Sequence, residues 1–188
     1  MVDPVTSVRD LGIFLDADLS MRTHVQRTVS QCFAVLRQLR QIRKLVPPAT
    51  FQTLVVALVL SRLDYGNGLL VGLPAYLVRR LQPVLNASAR VIFQLRRSDH
   101  ITDALVSLHW LCVPERIQYK IAVLTYKVLQ GTAPRYLGPL VRVSDLLGQR
   151  NLRSASTAHL VVPPFKLSTI GSRIFKVAAA QTWNDLRT

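Results

Sequence analysis

The spacing of apolar positions changes near residue 20, and that change marks the first boundary between elements. Over residues 8–15, VRDLGIFL, apolar and polar positions follow the short period of an extended chain, which predicts one short strand. DADLS at 16–20 predicts a turn. From Ser20 onward Val25, Val29, Cys32, Leu36 and Leu39 fall at spacings of four, three, four and three, the stripe of an amphipathic helix that runs to the Pro47-Pro48 stop. Residues 49–65 predict a second helix. Its centre, LVVALVL, is apolar nearly all round, so this helix is expected to be the most buried. Gly66, Asn67 and Gly68 end it, because glycine and asparagine tolerate the left-handed backbone that closes helices.

Pro74 suits the first turn of a third helix over residues 75–95, where a missing amide hydrogen costs nothing. That helix turns Leu77, Leu81, Val84, Val91 and Leu95 inward, and Pro83 within it is expected to kink or divide it. Residues 101–109 predict a short helix capped by Thr102 and stopping at Trp110. A longer one follows Pro114, with Ile117, Ile121, Leu124 and Val128 on its inner face, Arg116, Lys120 and Lys127 as its cations, and Gly131 as its cap. Beyond it, residues 133–141 add a turn of helix and 142–157 are polar and loop-like. HLVV at 159–162 predicts a strand, and 172–186 a last helix. The expected fold class is mainly α: a multi-helix bundle with a short N-terminal strand and a small mixed C-terminal extension. It is organised as 1–19, 20–143 and 144–188.

Length allows one well-filled core of the usual ~100 to 150 residues plus an appendage in this 188-residue chain. Composition excludes disorder: 49% of residues are hydrophobic and 18% charged. Charge adds a partner class. The chain has 24 Lys and Arg against 10 Asp and Glu, a formal +14, and 19 of the cations are arginine. The guanidinium fork grips phosphate oxygens in pairs, so the expected partner is a polyanion, nucleic acid being the commonest. An anionic membrane surface or an acidic protein also fits the charge alone. The cations concentrate on predicted helices: Arg37, Arg40 and Lys44 on one stripe of the first with Arg43 beside it, and Arg79, Arg80, Arg90, Arg96 and Arg97 on the third. A solvated face and a phosphate-contacting ridge both fit this pattern.

The amino terminus, MVDPVTSVRDLG, has neither a basic start nor an apolar stretch, so no signal peptide is expected there. The longest apolar run has seven residues, 54–60, far short of the roughly 20 that span a bilayer, so no membrane insertion is expected. Cys32 and Cys112 sit far apart in apolar patterns and read as buried thiols of a reducing, intracellular compartment, nuclear or cytoplasmic.

Candidate chemistry is sparse. Asp16 and Asp18 could share a divalent metal at a strand end, but aspartates at a strand-to-helix turn more commonly cap the coming helix. Asp64 beside Arg62 reads as a structural pair or turn former. His100, His109 and Cys112 lack the second ligand pair of a structural zinc site. Trp110 and Trp183 could stack on bases, yet their apolar neighbours favour core packing. No nucleophile elbow, phosphate loop or dinucleotide fingerprint occurs, and no cofactor is expected.

Six stretches taken together do resemble a known family. VRDLGIFLDADLS, SRLDYGNGLLVGLP, SLHWLCVPERIQYKI, TYKVLQGTAPRYL, NLRSAS and QTWNDL follow one another in the order of similar stretches downstream of the polymerase centre in LINE-type (non-LTR) retrotransposon reverse transcriptases, of the chicken-repeat and jockey-like branches. The resemblance spans residues 8–186. It implies the last palm segment at Leu11-Gly12 (residues 1–19), a helical thumb-like domain (20–143) and a further extension (144–188), which hold RNA or an RNA/DNA duplex by its backbone. The sequence departs from the family pattern in several places. The family's Y/F-A-D-D hairpin, which holds the catalytic metals, does not occur. Gly66 stands where the family reads cysteine in RLDYCN, Cys112 where it reads proline in HWLPV, and the chain reads WNDLRT where the family often reads WN-x-LP.

The resemblance therefore implies a decayed or repurposed, non-catalytic fragment of an RNA-directed DNA polymerase. Its expected nucleic-acid contacts are Arg37, Arg40, Arg43, Lys44, Arg79, Arg80, Arg90, Arg96 and Arg97. Alternatives are a self-association or protein-interaction module, for instance with a polymerase palm, and a relic without selected function. An active polymerase would require the palm aspartates from a partner, because phosphoryl transfer needs metals held by carboxylates.

Overall fold

The structure, a computed structural model, describes residues 5–146 and 159–186. Most of the expected loop, and the NLRSAS stretch at 151–156, lie outside the described residues. The chain is mainly α with a two-stranded antiparallel ribbon near its amino terminus, as the apolar spacing predicts. It divides into two compact units, 1–116 and 117–188.

In the first unit, the single strand expected at 8–15 is two: β1 (Ser7–Asp10) and β2 (Ile13–Asp16) pair with Asp10 opposite Ile13 and Ser7 opposite Asp16. Leu11 and Gly12 make the turn with φ of 45° and 85°. A two-residue hairpin needs positive φ at both positions to match the twist of its strands. Leucine in the first of them hides the turn from a reading of sequence, which looks there for asparagine, aspartate or glycine.

α1 (Arg22–Ile42) buries Val25, Cys32, Leu36 and Leu39, the predicted stripe, while Val29 is half-buried. It ends five residues before Pro47. The chain tightens first, with the Arg43 amide donating to the Arg40 carbonyl at 3.4 Å and Leu45 to Ile42 at 2.9 Å, so Lys44 lies beyond the helix.

α2 (Pro48–Val55) has proline in its first turn, passes through a π turn (Val56–Leu60) and ends as α3 (Ser61–Asp64). Phe51, Val55, Val59, Leu60 and Leu63 are buried on the side that meets α1 and a later helix, α5 (Gln82–Phe93). Val56 and Leu58 are each 40% exposed, so the helix is not buried all round as expected. An unbroken apolar run does not reveal on how many sides a helix has neighbours, and this one has them on one side.

Gly66 then turns the chain at φ 65°; a side chain there would bring its Cβ to 2.6 Å from Ile13 Cδ1, so the site excludes any residue but glycine on both counts. A 3₁₀ turn (Asn67–Leu70) leads to α4 (Ala75–Arg79), which α5 follows after a two-residue break. Pro83 thus divides the expected third helix by starting a new one. Leu77, Leu81, Val84 and Val91 are buried as predicted, and Leu95 is half-buried because it lies past the end of α5. Thr102 is the first residue of α6 (Thr102–Ser107), not its cap, and makes no capping bond. α7 (Val113–Leu129) begins in this unit, where the Glu115 carboxylate accepts from the Cys112 amide (3.0 Å) and the Gln82 side-chain carbonyl from the Val113 amide (2.9 Å).

In the second unit, α7 buries Ile117, Ile121 and Thr125, the Thr125 hydroxyl donating to the Ile121 carbonyl at 2.8 Å; Leu124 and Val128 are half-buried. Gly131 closes the helix at φ 69°. Its amide donates to Val128 (3.0 Å) and that of Thr132 to Lys127 (2.9 Å), the paired bonds of a Schellman cap. A 3₁₀ turn (Arg135–Leu137) follows. HLVV forms a single bridge, Leu160 to Arg142, in place of the expected strand, since Pro163 and Pro164 cannot continue a ladder. α8 (Ser168–Gly171) and α9 (Phe175–Asp185) replace the one helix expected over 172–186. The Asn184 amide clasps the Leu160 backbone from both sides, accepting from its N–H at 2.8 Å and donating to its carbonyl at 3.0 Å.

Candidate nucleic-acid interface

α1 packs along α5, and the two helices end near each other. The Arg43 guanidinium fixes the arrangement: Nη2 donates to the Ile92 carbonyl at 3.1 Å, and its carbon sits 4.7 Å from the centre of the Phe51 ring. Helix carboxyl ends carry unpaired carbonyls and partial negative charge, which favours cations at this place. Arg40 lies in the last turn of α1 and Arg90 in the last turn of α5. Arg37 lies one turn before Arg40, Lys44 just past α1, and Arg96 and Arg97 just past α5. Seven of the nine predicted cations therefore surround one pair of helix ends.

Arg79 and Arg80 stand apart from that cluster. They precede the opposite end of α5, a helix of 12 residues and hence roughly 18 Å long. Arg37, Arg40, Lys44, Arg79, Arg80, Arg96 and Arg97 are exposed; Arg43 and Arg90 are half-buried, and the Nε of each is buried without a hydrogen-bond partner. Arg43 is committed to holding Ile92 and Phe51, so it serves the fold more than the surface. None of the nine is ion-paired with a carboxylate among the described residues. The nearby Asp99 is engaged by the Arg96 backbone amide at 2.7 Å.

The acidic candidates are structural. Asp16 accepts from the Ser20 hydroxyl (3.1 Å) and the Thr23 amide (3.2 Å), and Asp18 from the Ser20 amide (3.0 Å), so both shape the turn that starts α1. Asp64 pairs with Arg116 and not with its neighbour Arg62. Arg116 Nε donates to Oδ1 at 2.8 Å and Nη2 to Oδ2, which takes Arg116 out of the set of free cations. Among the described residues, no group of three or more His, Cys, Asp or Glu could hold a metal. Trp110, Trp183 and Cys112 are half-buried, and Cys32 is buried, its thiol pushed up to about 11 by loss of solvent. No helix among the described residues is long and apolar enough to cross a membrane.

Three features escaped the reading of sequence. The Tyr65 hydroxyl donates to the Leu11 carbonyl at 2.6 Å, locking the hairpin turn onto the end of α3; only pairing across 54 residues could have shown it. Arg9 and Arg27 both stack on Phe14, at 5.6 and 4.4 Å from its centre. The cross-strand partner of Phe14 is Arg9, but that register becomes visible only once the hairpin is known.

The third is His24, 7% exposed in the first turn of α1 with its Nδ1 unpartnered. Burial pushes the imidazole below its ordinary value, and the attraction of Asp16 opposes that without overcoming it. Unfolding frees the ring to take a proton near pH 6.5. The stabilisation from neutral His24 is therefore complete above about pH 6.5 and is lost as pH falls from there toward the lowered folded value. Asp16 acts in a separate range. Burial pushes its carboxyl up, but the hydrogen bonds from Thr23 and Ser20 together hold it below the ordinary value, so its contribution disappears only in stronger acid. Thermal melts between pH 7.5 and 5 should show a falling midpoint, and His24→Gln should flatten that fall; an equal slope in the variant would exclude His24 as its source.

Comparison with protein-family models, with curated proteins and with solved structures finds no match to this chain.

Proposed function

We propose that this chain is a thumb-like region of a LINE-type reverse transcriptase and that it binds RNA or RNA/DNA duplex by the sugar-phosphate backbone. Two independent lines support the reading: the ordered series of motifs in the sequence, and the group of cations where α1 and α5 end. The observation that carries it is that none of these cations has a carboxylate partner among the described residues, in a chain of formal charge +14. Unneutralised arginines grouped on one part of a surface are what contact with successive phosphates requires, and they read no base. The region supplies grip, not phosphoryl transfer, since the aspartate pair of the family pattern does not occur in the sequence. It works in a reducing intracellular compartment, in keeping with two free cysteines.

Filter binding of a 20-base-pair RNA/DNA duplex at 50 and 200 mM salt tests the proposal. Seven exposed cations set an upper limit near −6 for the slope of log affinity against log salt, at about −0.9 per phosphate contact. A slope between about −4 and −6, the same for duplexes of unrelated sequence, is expected. No retention at the lower salt, or retention of one sequence only, removes the proposal.

A further inference from the structure

A different surface carries a different ligand. α7 buries Ile117 and Ile121, and at about 100° per residue Tyr119 and Tyr126 fall on the opposite side of the helix, one above the other. They are 63% and 55% exposed. Neither ring has a cation or another ring against it, and neither hydroxyl has a partner. Each is followed by an exposed lysine, Lys120 and Lys127, so the sequence repeats Tyr-Lys after seven residues, or about two turns and roughly 10 Å of helix. Seven residues is the interval that keeps a pair in line along a helix.

The surroundings carry one sign of charge. From Arg116 to Ser144 the sequence has no acidic residue in 29 positions. Past the Gly131 cap, Tyr136 is 81% exposed beside Arg135, and Arg135 and Arg142 line a cleft of about 540 Å³ that has Asp145 at its edge. Exposed aromatic rings cost free energy in water, and an alternation of flat apolar faces with ammonium groups matches a chain of unpaired bases joined by phosphates. A duplex does not match it, since its base faces are covered by stacking.

We infer that the outer face of α7 is a binding site for single-stranded nucleic acid, in which Tyr119 and Tyr126 stack on unpaired bases and Lys120 and Lys127 hold the adjoining phosphates. The site lies in the second unit, shares no residue with the cation group of the first, and does not depend on the duplex reading.

Fluorescence anisotropy with a labelled 15-mer of deoxyuridine, alongside the RNA/DNA duplex, tests it on the full chain. Tyr119→Ala with Tyr126→Ala should weaken single-strand binding by about 5- to 150-fold for each ring lost and leave duplex binding within about twofold. Alanine favours helix, so α7 persists, and circular dichroism checks that. Tyr119→Phe with Tyr126→Phe keeps the rings and should retain wild-type affinity. The inference is overturned if the 15-mer does not bind, if the alanine pair binds it as wild type does, if the phenylalanine pair loses as much as the alanine pair, or if duplex binding falls in step. Single-strand binding without duplex binding would keep this inference and remove the proposed function; the converse would do the reverse.

Discussion

Neutralising Arg37, Arg40, Lys44, Arg96 and Arg97 together, each to glutamine, is expected to reduce duplex affinity by on the order of 10²- to 10³-fold near 0.15 M salt. The salt slope should become shallower by up to about 4.5, since each phosphate contact contributes about 0.9. These five are chosen because they are exposed and make no ion pair among the described residues, so their loss leaves no buried group unsatisfied. Surface changes of this kind usually alter stability by no more than about 0.5 kcal/mol each. Arg43 is left in place because Ile92 and Phe51 depend on it. The companion variant Arg79→Gln with Arg80→Gln, at the far end of α5, measures how far the duplex extends along the helix: a slope change of about 1 to 2 means that it reaches both ends. An unaltered slope in the five-residue variant would show that these side chains touch no phosphate.

Phe51→Ala is the largest single-residue change expected in stability. Phe51 is fully buried in α2, where that helix meets α1 and α5. Truncating a buried phenylalanine removes its transfer free energy and leaves a cavity, together about 3–5 kcal/mol. The Arg43 guanidinium also loses the ring beneath it, a contact of about 0.5–2 kcal/mol that overlaps with that figure. Against a typical total of about 5–15 kcal/mol, such a loss brings the unit close to unfolding at physiological temperature. Urea titration followed by circular dichroism should show the midpoint falling with little change in slope. A loss under about 1 kcal/mol would mean that the ring is not enclosed.

Where apolar spacing alone decides an element, the sequence was sufficient. The stripe of α1, the first-turn proline of α5 and the glycine cap of α7 are local rules, and each is realised within a few residues. Legibility ended where a neighbour distant in sequence decides the outcome. The hairpin was hidden because Leu11 takes a conformation that its side chain disfavours, held by Tyr65 from 54 residues away. Asp64 was read with Arg62 because the two are adjacent, whereas its partner Arg116 lies 52 residues on.

The candidate site divides in the same way. Helical period placed Arg37 and Arg40 on one exposed side of α1, but that Arg43 is spent on Ile92 and Phe51 follows from how α1 crosses α5. The two tyrosines of α7 were passed over because attention went to the inner face of that helix, although their seven-residue interval was present in the sequence throughout.

The π turn at Val56–Leu60 acts as a phase setter. Such a turn accommodates one more residue than an α-helical path between the same two points, so everything after it is rotated relative to everything before. Phe51 and Val55 ahead of it and Leu63 behind it face one interior only because that offset exists, and Asp64 meets Arg116 for the same reason. The length of this segment is therefore fixed: with one residue fewer, the helix would regularise and carry Leu63 and Asp64 about 100° round its axis, away from both partners.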